Sequence, residues 1–420
     1  MKRSKKKKNN LFRILLVLLL LLIIIIVIVN LSNKIANGKK ILMTNLVGMN
    51  IDDAMENMAD YNLDIKTEYK YSDDMAKDKI ISQSIVKDTE IKAHDQLDLV
   101  VSLGKLDKET LKKDGIEELG KIPIMMYHGI KNMNNNDTQY TGGNVDKDGY
   151  TRTVEAFRND LEFYYQNGYR MIKLSDYING KIDVPYGKSP IILTFDDGND
   201  NNIKVTDIDD KGNIIIDKNS AVGVLEEFKK KYPDYNVTAI FFVTNALFNQ
   251  PEYNEKILHW LVANGYEVGN HTKGHNNLSK ISSTETQEVI GYMYDKLESI
   301  LGDKYQKIVA LPFGSPYNKT HDNYQYVLKG NYNNNEYVTE SALRVGWEPE
   351  VSPFHKDFDK TFLKRCRAYD NNGKDFDIEM VFRMLEKTRY ISDGDVNRIV
   401  TSINNIDLVN QTEKEVIYYE

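Results

Sequence analysis

Two short stretches concentrate the side chains able to carry chemistry. Asp196 and Asp197 stand together in Thr194-Phe195-Asp196-Asp197-Gly198, at the end of the apolar run Pro190–Leu193. His271 and His275 stand four apart in His271-Thr272-Lys273-Gly274-His275, after a second short strand-like run. Two adjacent carboxylates at the mouth of an apolar strand are costly to hold without a partner. A bound cation removes that cost and leaves the neighbouring acid free to act as a base. Histidines at i and i+4 share one face of a helical turn, a spacing that suits a zinc-type ion. Taken singly, each motif has a plain alternative: a solvated strand end for the acids, surface positions for the histidines. Together, two His and one carboxylate at the exits of two strands predict a divalent-metal site. Such a set leaves coordination positions open, as a catalytic rather than a structural site requires.

The elements that must position these groups alternate. From Ile122 to about Asn410 the pattern predicts strands at Pro123–His128, Tyr169–Leu174, Pro190–Phe195, Val237–Val243, Tyr266–Gly269, Lys307–Leu311 and Glu340–Trp347. Helices are predicted between them at Val154–Gln166, Ala221–Lys231, Tyr253–Ala263 and Thr284–Leu301, with a last one at Ile378–Lys387. This is an α/β pattern whose parallel sheet closes or half closes into a β/α barrel, with sites gathered at strand C-termini. Asn202–Asp217 reads as an inserted hairpin turning at Asp210-Lys211-Gly212. Ahead of this domain, residues 41–104 read as a small α+β unit. Ile51, Ala54, Met55 and Met58 follow helical spacing, while Leu63–Thr67 and Leu97–Val101 alternate with period two. A Lys- and Glu-rich segment, Lys105–Lys121, is expected as the linker between the two.

The 420 residues allow two or three folded units, and 41% apolar with 28% charged residues is an ordinary globular composition. The net charge is −7, but residues 1–13 carry seven cations and no acid, so the remainder stands at −14. An acidic body is poorly suited to phosphate backbones and puts nucleic-acid binding last. Cys366 is the single cysteine, so no intrachain disulfide and no CxxC metal site exists. After a basic tail (1–10), Ile14 to Val29 is an unbroken Leu/Ile/Val run. With Leu11, Phe12 and a snorkelling Arg13 it predicts one transmembrane helix over 11–29, followed by a polar linker over 30–40. A cleavable signal peptide is the competing reading, but Asn30-Leu31-Ser32-Asn33-Lys34 offers no small-x-small cleavage site. Lys5–Lys8 would stay in the cytoplasm, placing the C-terminal domains outside a single-pass cell-membrane protein.

Two resemblances sharpen these expectations. Asn45-Leu46-Val47-Gly48-Met49, Ile80-Ile81-Ser82-Gln83-Ser84 and Leu99-Val100-Val101-Ser102-Leu103-Gly104 resemble a PASTA domain, which implies a peptidoglycan-facing module; a plain spacer is the alternative. Thr194–Gly198 and His271–His275, with Leu311-Pro312-Phe313-Gly314 and Met126-Tyr127-His128-Gly129-Ile130, resemble the polysaccharide deacetylase family (carbohydrate esterase family 4) over residues 122–410. The resemblance implies a distorted, incomplete (β/α) barrel. It makes Asp196 the catalytic base, Asp197, His271 and His275 the ligands of a divalent metal such as Zn²⁺, and the Phe313 backbone N–H an oxyanion donor. Pro312 and Trp347 would contact substrate.

The departures from the family pattern are as informative. Ala310 stands where the family has an Arg that pairs with the base. Leu343 and Gly346 precede Trp347 where the family has Asp, and no His lies near Arg398–Ser402 to serve as general acid. Arg344 or Arg367 is the expected replacement for the Arg, and His128 or, with a weaker claim, His355 for the acid. The function expected is a membrane-anchored extracellular N-deacetylase of an acetylated amino-sugar polymer, peptidoglycan above others. The alternative is a cell-wall glycan-binding protein on the same scaffold that no longer hydrolyses.

Overall fold

The computed structural model describes residues 41–138, 141–346 and 348–420. The predicted tail, membrane helix and first linker (1–40) and Trp347 therefore lie outside the described residues. Among those described, no helix is long and apolar enough to cross a membrane. The described residues divide into two compact units, the first ending at residue 106 and the second spanning 107–420.

In the first unit the helix Ile51–Met58 begins at Asn50, whose side chain accepts from the Asp52 N–H at 2.9 Å. That contact satisfies one of the amides a helix start leaves open. A three-stranded sheet runs in the order Asp64–Lys70, Gln96–Ser102, Ile80–Gln83, with the first pair parallel. Leu97, Leu99 and Val101 alternate inward onto Leu46, Ala54 and Met58 to form its core.

The second unit is built on eight strands, labelled here in chain order: β1 (Ile124–Tyr127), β2 (Tyr169–Met171), β3 (Ser189–Phe195), β4 (Ile240–Val243), β5 (Glu267–Asn270), β6 (Ile308–Ala310), β7 (Ser341–Leu343) and β8 (Cys366–Arg367). The spatial order is β7-β6-β5-β4-β3-β1-β8, with β2 beside the start of β3, and every pairing is parallel. Leu363, just before β8, exchanges backbone bonds with Ala342 and Arg344 of the β7 region, while Cys366 and Arg367 pair with Met125 and Met126 of β1. One short segment thus touches both free edges, and the sheet curls into a distorted barrel with a narrow seam.

Alternation sorts the strands into two cores. Ile124, Ile192, Ile240, Phe242, Ile308 and Leu343 fill the interior, whereas Met125, Ile191, Leu193, Phe195, Phe241 and Val309 face the surrounding helices. Ile192, Thr194 and Asp196 share the inward side of β3 by the same period of two, so Asp196 tops the interior column at the barrel mouth. Gly269 on β5 is required by packing, since a Cβ there would collide with the Phe242 ring.

Three expectations need adjusting. The strand predicted over Tyr169–Leu174 ends at Met171, and Leu174 instead opens a short helix, Leu174–Ile178. The strand predicted over Glu340–Trp347 is only Ser341–Leu343, because the chain beyond it turns into the seam. The expected linker over 105–121 is packed into the second unit. Its helix Lys108–Lys113 buries Leu111, and Ile116 and Leu119 follow it inward. Glu118, 1% exposed, accepts hydrogen bonds from Tyr390 Oη, the Asp393 N–H and the Val400 N–H. The chain continues past 410 into a strand, Glu415–Tyr419, parallel to Arg398–Ser402.

Burial, and then the neighbouring Asp393 carboxylate, push the Glu118 carboxyl well above its ordinary range, and burial raises Asp393 as well. A carboxyl raised in the folded state holds its proton more tightly than in the unfolded chain. Its contribution is therefore present at low pH and is lost as pH climbs from the unfolded value through the folded one. Melting of the second unit should accordingly occur at a lower temperature at pH 7.5 than at pH 5, and Asp393→Asn should flatten that difference. Equal pH sensitivity in the two proteins would rule the pair out as its cause.

Candidate active site

The barrel mouth collects the exits of β1, β3, β5 and β6. β3 delivers Asp196 and then a turn in which Asp197 has φ +76° and Gly198 φ +66°. At Gly198 any side chain would also run into the Leu247 carbonyl oxygen. The turn points the two carboxylates apart: Asp196 stays in the interior column at 1% exposure, and Asp197 swings toward the β5 exit. Thr272 (φ +62°), His275 (φ +54°) and Phe313 (φ +59°) are further non-glycine residues in the left-handed region. Each costs conformational energy, and such outliers cluster where a site over-determines the backbone.

Asp197 Oδ1 lies 3.3 Å from His271 Nε2 and 3.4 Å from His275 Nε2. One ligand atom from each residue can be chosen so that all three fall within 4.8 Å of one another. The helical turn expected to bring the histidines together is absent; a tight turn with positive φ at Thr272 and His275 does so instead. His271 is 1% exposed, and its Nδ1 sits 2.8 Å from the Ala310 carbonyl oxygen at the end of β6. That partner fixes Nδ1 as the protonated nitrogen and turns the lone pair of Nε2 toward Asp197. Nε2 is buried and makes no hydrogen bond, because its approach to Asp197 has ion-pair distance without hydrogen-bond angles. A buried orphan acceptor beside a carboxylate and a second imidazole is what a bound divalent cation would satisfy. The residues fit the metal that their types suggest.

The base position is held from an unexpected direction. Arg365, in the seam just before β8, donates from Nη1 to Asp196 Oδ1 and from Nη2 to Asp196 Oδ2, both at 2.7 Å. Its Nη1 also reaches Thr194 Oγ1 at 3.1 Å, and its Nε donates to the Arg344 carbonyl at 3.1 Å. The guanidinium has no exposure at all. Burial alone would raise the Asp196 carboxyl, but the Arg365 charge, with His271 behind it, holds it well below the usual carboxylate range. The two arginines expected in this role are elsewhere. Arg344 packs its guanidinium over Phe362 and contributes only its carbonyl, while Arg367 stacks on Tyr369 and Tyr150. Sequence reasoning passed over Arg365, although strand parity points to it: Cys366 belongs to the outward core and Leu363 to the interior, so residue 365 must face inward.

The remaining positions divide. His128, at the exit of β1, places Nε2 3.9 Å from Asp196 Oδ2 and is joined to the site. Its carbonyl accepts from Asn202 Nδ2 at 2.6 Å, its ring meets Tyr150 edge-on at 4.7 Å, and its buried Nδ1 makes no hydrogen bond. Burial lowers its pKa, partly opposed by the Asp196 and Asp197 charges. His355 belongs to the opposite end of the barrel, where the neighbouring Ser352 N–H bonds Gly120 ahead of β1. It is therefore no candidate for the acid. Pro312 is buried in the turn after β6, and Phe313 next to it is 54% exposed with its ring edge-on to His275 at 4.5 Å.

Residues 183–329 match the family model described as polysaccharide deacetylase, a span holding Asp196, Asp197, His271, His275 and Phe313. The chain carries a polysaccharide deacetylase domain. Residues 41–103 match the PASTA domain model, so a PASTA domain precedes the deacetylase domain. His128 and Arg365 lie outside the matched span, one on either side of it. Among solved structures, the chain is similar to the Streptococcus pyogenes deacetylase PplD in complex with acetate, at 20% identity over 60% of this chain and 93% of that one, TM-score 0.43. It is also similar to IcaB from Ammonifex degensii, at 16% identity over 65% of this chain and 98% of that one, TM-score 0.40. The peptidoglycan deacetylase PdaC from Bacillus subtilis aligns at 24% identity over 32% of this chain and 52% of that one, TM-score 0.22. No curated protein matches the chain.

Proposed function

We propose that this protein is a membrane-anchored, extracellular, metal-dependent N-deacetylase of an acetylated amino-sugar polymer, and that the polymer is peptidoglycan. The observation that carries the reading is the joined constellation of Asp197, His271 and His275 with the Asp196–Arg365 pair. A divalent cation held by the triad, Zn²⁺ by its His₂Asp chemistry, would polarise the acetamide carbonyl and make the attacking water more acidic. Asp196, whose ionised form the Arg365 guanidinium favours, accepts the water's proton as the water oxygen bonds to the carbonyl carbon. The Phe313 N–H donates to the oxygen that gains charge. His128, at the exit of β1 beside Asp196, gives a proton to the amide nitrogen as the C–N bond breaks. Acetate and a free amino sugar leave. The wall-facing assignment is supported by the PASTA domain, and the location by the basic tail and apolar run of residues 1–29.

One experiment on the full-length protein tests all three parts. Purified from membranes, it should hold about one divalent ion per chain and release acetate from N-acetylglucosamine oligomers and from peptidoglycan. His271→Ala should lose both the ion and the activity. Protease added to intact cells should digest residues 30–420. Full metal occupancy without acetate release from any amino-sugar polymer would instead support a protein that binds glycan and leaves it intact.

A further inference from the structure

A histidine that passes a proton from one ring nitrogen is ordinarily aimed by a hydrogen bond at the other. His128 has no such bond. Its Nδ1 is buried without a hydrogen-bond partner among the described residues, and its Nε2 stands 3.9 Å from Asp196 Oδ2, beyond hydrogen-bond reach. The Tyr150 ring packs against it edge-on at 4.7 Å, a contact that fills space without aiming either nitrogen. The place of the imidazole is therefore set by the backbone that carries it.

That backbone leaves the sheet at the residue in question. The last rung between β1 and β3 pairs Tyr127 with Phe195, and the Asp196 N–H donates to the Tyr127 carbonyl at 3.0 Å. Beyond it, two side chains from the loop after β3 take over from the ladder. Asn202 Nδ2 donates to the His128 carbonyl at 2.6 Å, and Asn201 Oδ1 accepts from the Ile130 N–H at 2.9 Å. Each amide has one possible orientation. Asn202 must turn its oxygen to the Asn199 N–H, 3.0 Å away, and Asn201 must turn its oxygen to the Ile130 N–H. The loop is itself anchored, because the N–H groups of Ala221 and Val222, which open the helix Ala221–Lys231, donate to the carbonyls of Asn201 and Asn202 at 3.0 and 2.8 Å. Asn202 has no exposure. The loop that starts at the base thus ends by gripping the strand exit that carries the acid.

We infer that Asn201 and Asn202 are positioning residues that lock the β1 exit to the loop after β3 and so set His128 against Asp196. The inference deepens the deacetylase reading and rests on it for what His128 does. A purely structural role would need only that two backbone groups be satisfied. Positioning demands more, namely that the effect on rate pass through His128, and a displacement of about 1 Å at a reacting group costs up to about a hundredfold.

The test uses the metal-loaded full-length protein and N-acetylglucosamine pentasaccharide, with rates taken per folded molecule. Asn202→Ala should lower kcat roughly ten- to a hundredfold, with KM within about twofold and the metal retained. In a His128→Ala background the same substitution should change kcat by less than about twofold, since no acid remains to be misplaced. The amide chemistry supplies two conservative variants with opposite outcomes. Asn201→Asp keeps the oxygen that the Ile130 N–H needs and should restore the rate lost in Asn201→Ala. Asn202→Asp sets a carboxylate oxygen against the His128 carbonyl and should do no better than alanine. Additive losses in the double variant, or loss of the metal in Asn202→Ala, overturn the inference, because the asparagines would then act on the fold or on Asp197. A wild type that releases no acetate removes the deacetylase reading instead, and the ring signals in a histidine-labelled nuclear magnetic resonance spectrum then decide the positioning. A His128 signal shifted or broadened in Asn202→Ala, with those of His271 and His275 unmoved, upholds it. An unmoved His128 signal overturns it.

Discussion

Asp196→Asn should keep the full metal content and lower acetate release by at least about a hundredfold, because an amide cannot accept the water's proton. Metal is retained because Asp197, His271 and His275 supply the three ligand atoms without Asp196. The partner of Asp196 makes the second half of this expectation. Arg365→Met leaves a fully buried carboxylate with no counter-charge, and breaking such a pair from one side costs roughly 3–5 kcal/mol. Arg365 is also the charge that holds Asp196 well below the ordinary range against burial. Without it the folded-state value climbs, so the acid limb of the pH–rate profile must move to higher pH, since the base works only when ionised. The double variant Asp196→Asn with Arg365→Met should then be much less destabilised than the sum of the singles, as removing both partners removes the uncompensated charge. An Arg365→Met protein with wild-type stability and an unmoved acid limb would show that the pairing is incidental.

The Arg365 contact also shows where the sequence stops being legible. The chemistry-bearing motifs could be read because each lies within one turn at one strand exit: the acid pair needs only residues 196 and 197, and the histidine pair spans five positions. The strand–helix alternation was similarly local, and the helices Val154–Gln166 and Ala221–Lys231 have the ends their patterns imply. Arg365 is 169 residues from Asp196 in the chain, and only closure of the barrel brings the two together. Until the seam is known, three arginines in the region are equivalent candidates, and Arg344 and Arg367 were preferred to the one that makes the bond. The role of residues 105–121 was hidden for a related reason. Its Lys and Glu content describes the exposed side of a short helix, whereas its place in the fold is decided by three apolar residues and by Glu118, whose partners are about 270 to 280 positions away. In both cases what decided the outcome was a buried polar group whose hydrogen-bond partners come from distant chain.

His128→Ala should separate a catalytic acid from a packed core histidine. The ring is in the right place, 3.9 Å from the base at the exit of β1, which flanks β3 on the side opposite β4 and β5, and it keeps a buried Nδ1 with no hydrogen bond. Burial lowers its pKa below the ordinary imidazole value, so its protonated form is scarce at neutral pH and grows as pH falls. An acid of this kind gives kcat/KM a basic limb, with activity falling as pH rises through that lowered value. If His128 supplies the proton, His128→Ala should lose about 10²–10⁴ in turnover per folded, metal-loaded molecule, and the remaining activity should lose the basic limb. His128→Gln, which can hydrogen-bond but cannot titrate, should behave the same way. If the ring only packs against Tyr150, the alanine variant melts earlier while turnover per folded molecule and the pH profile stay as in the wild type. The pH profile decides between them, because lost packing alone has no means of removing one limb and leaving the other.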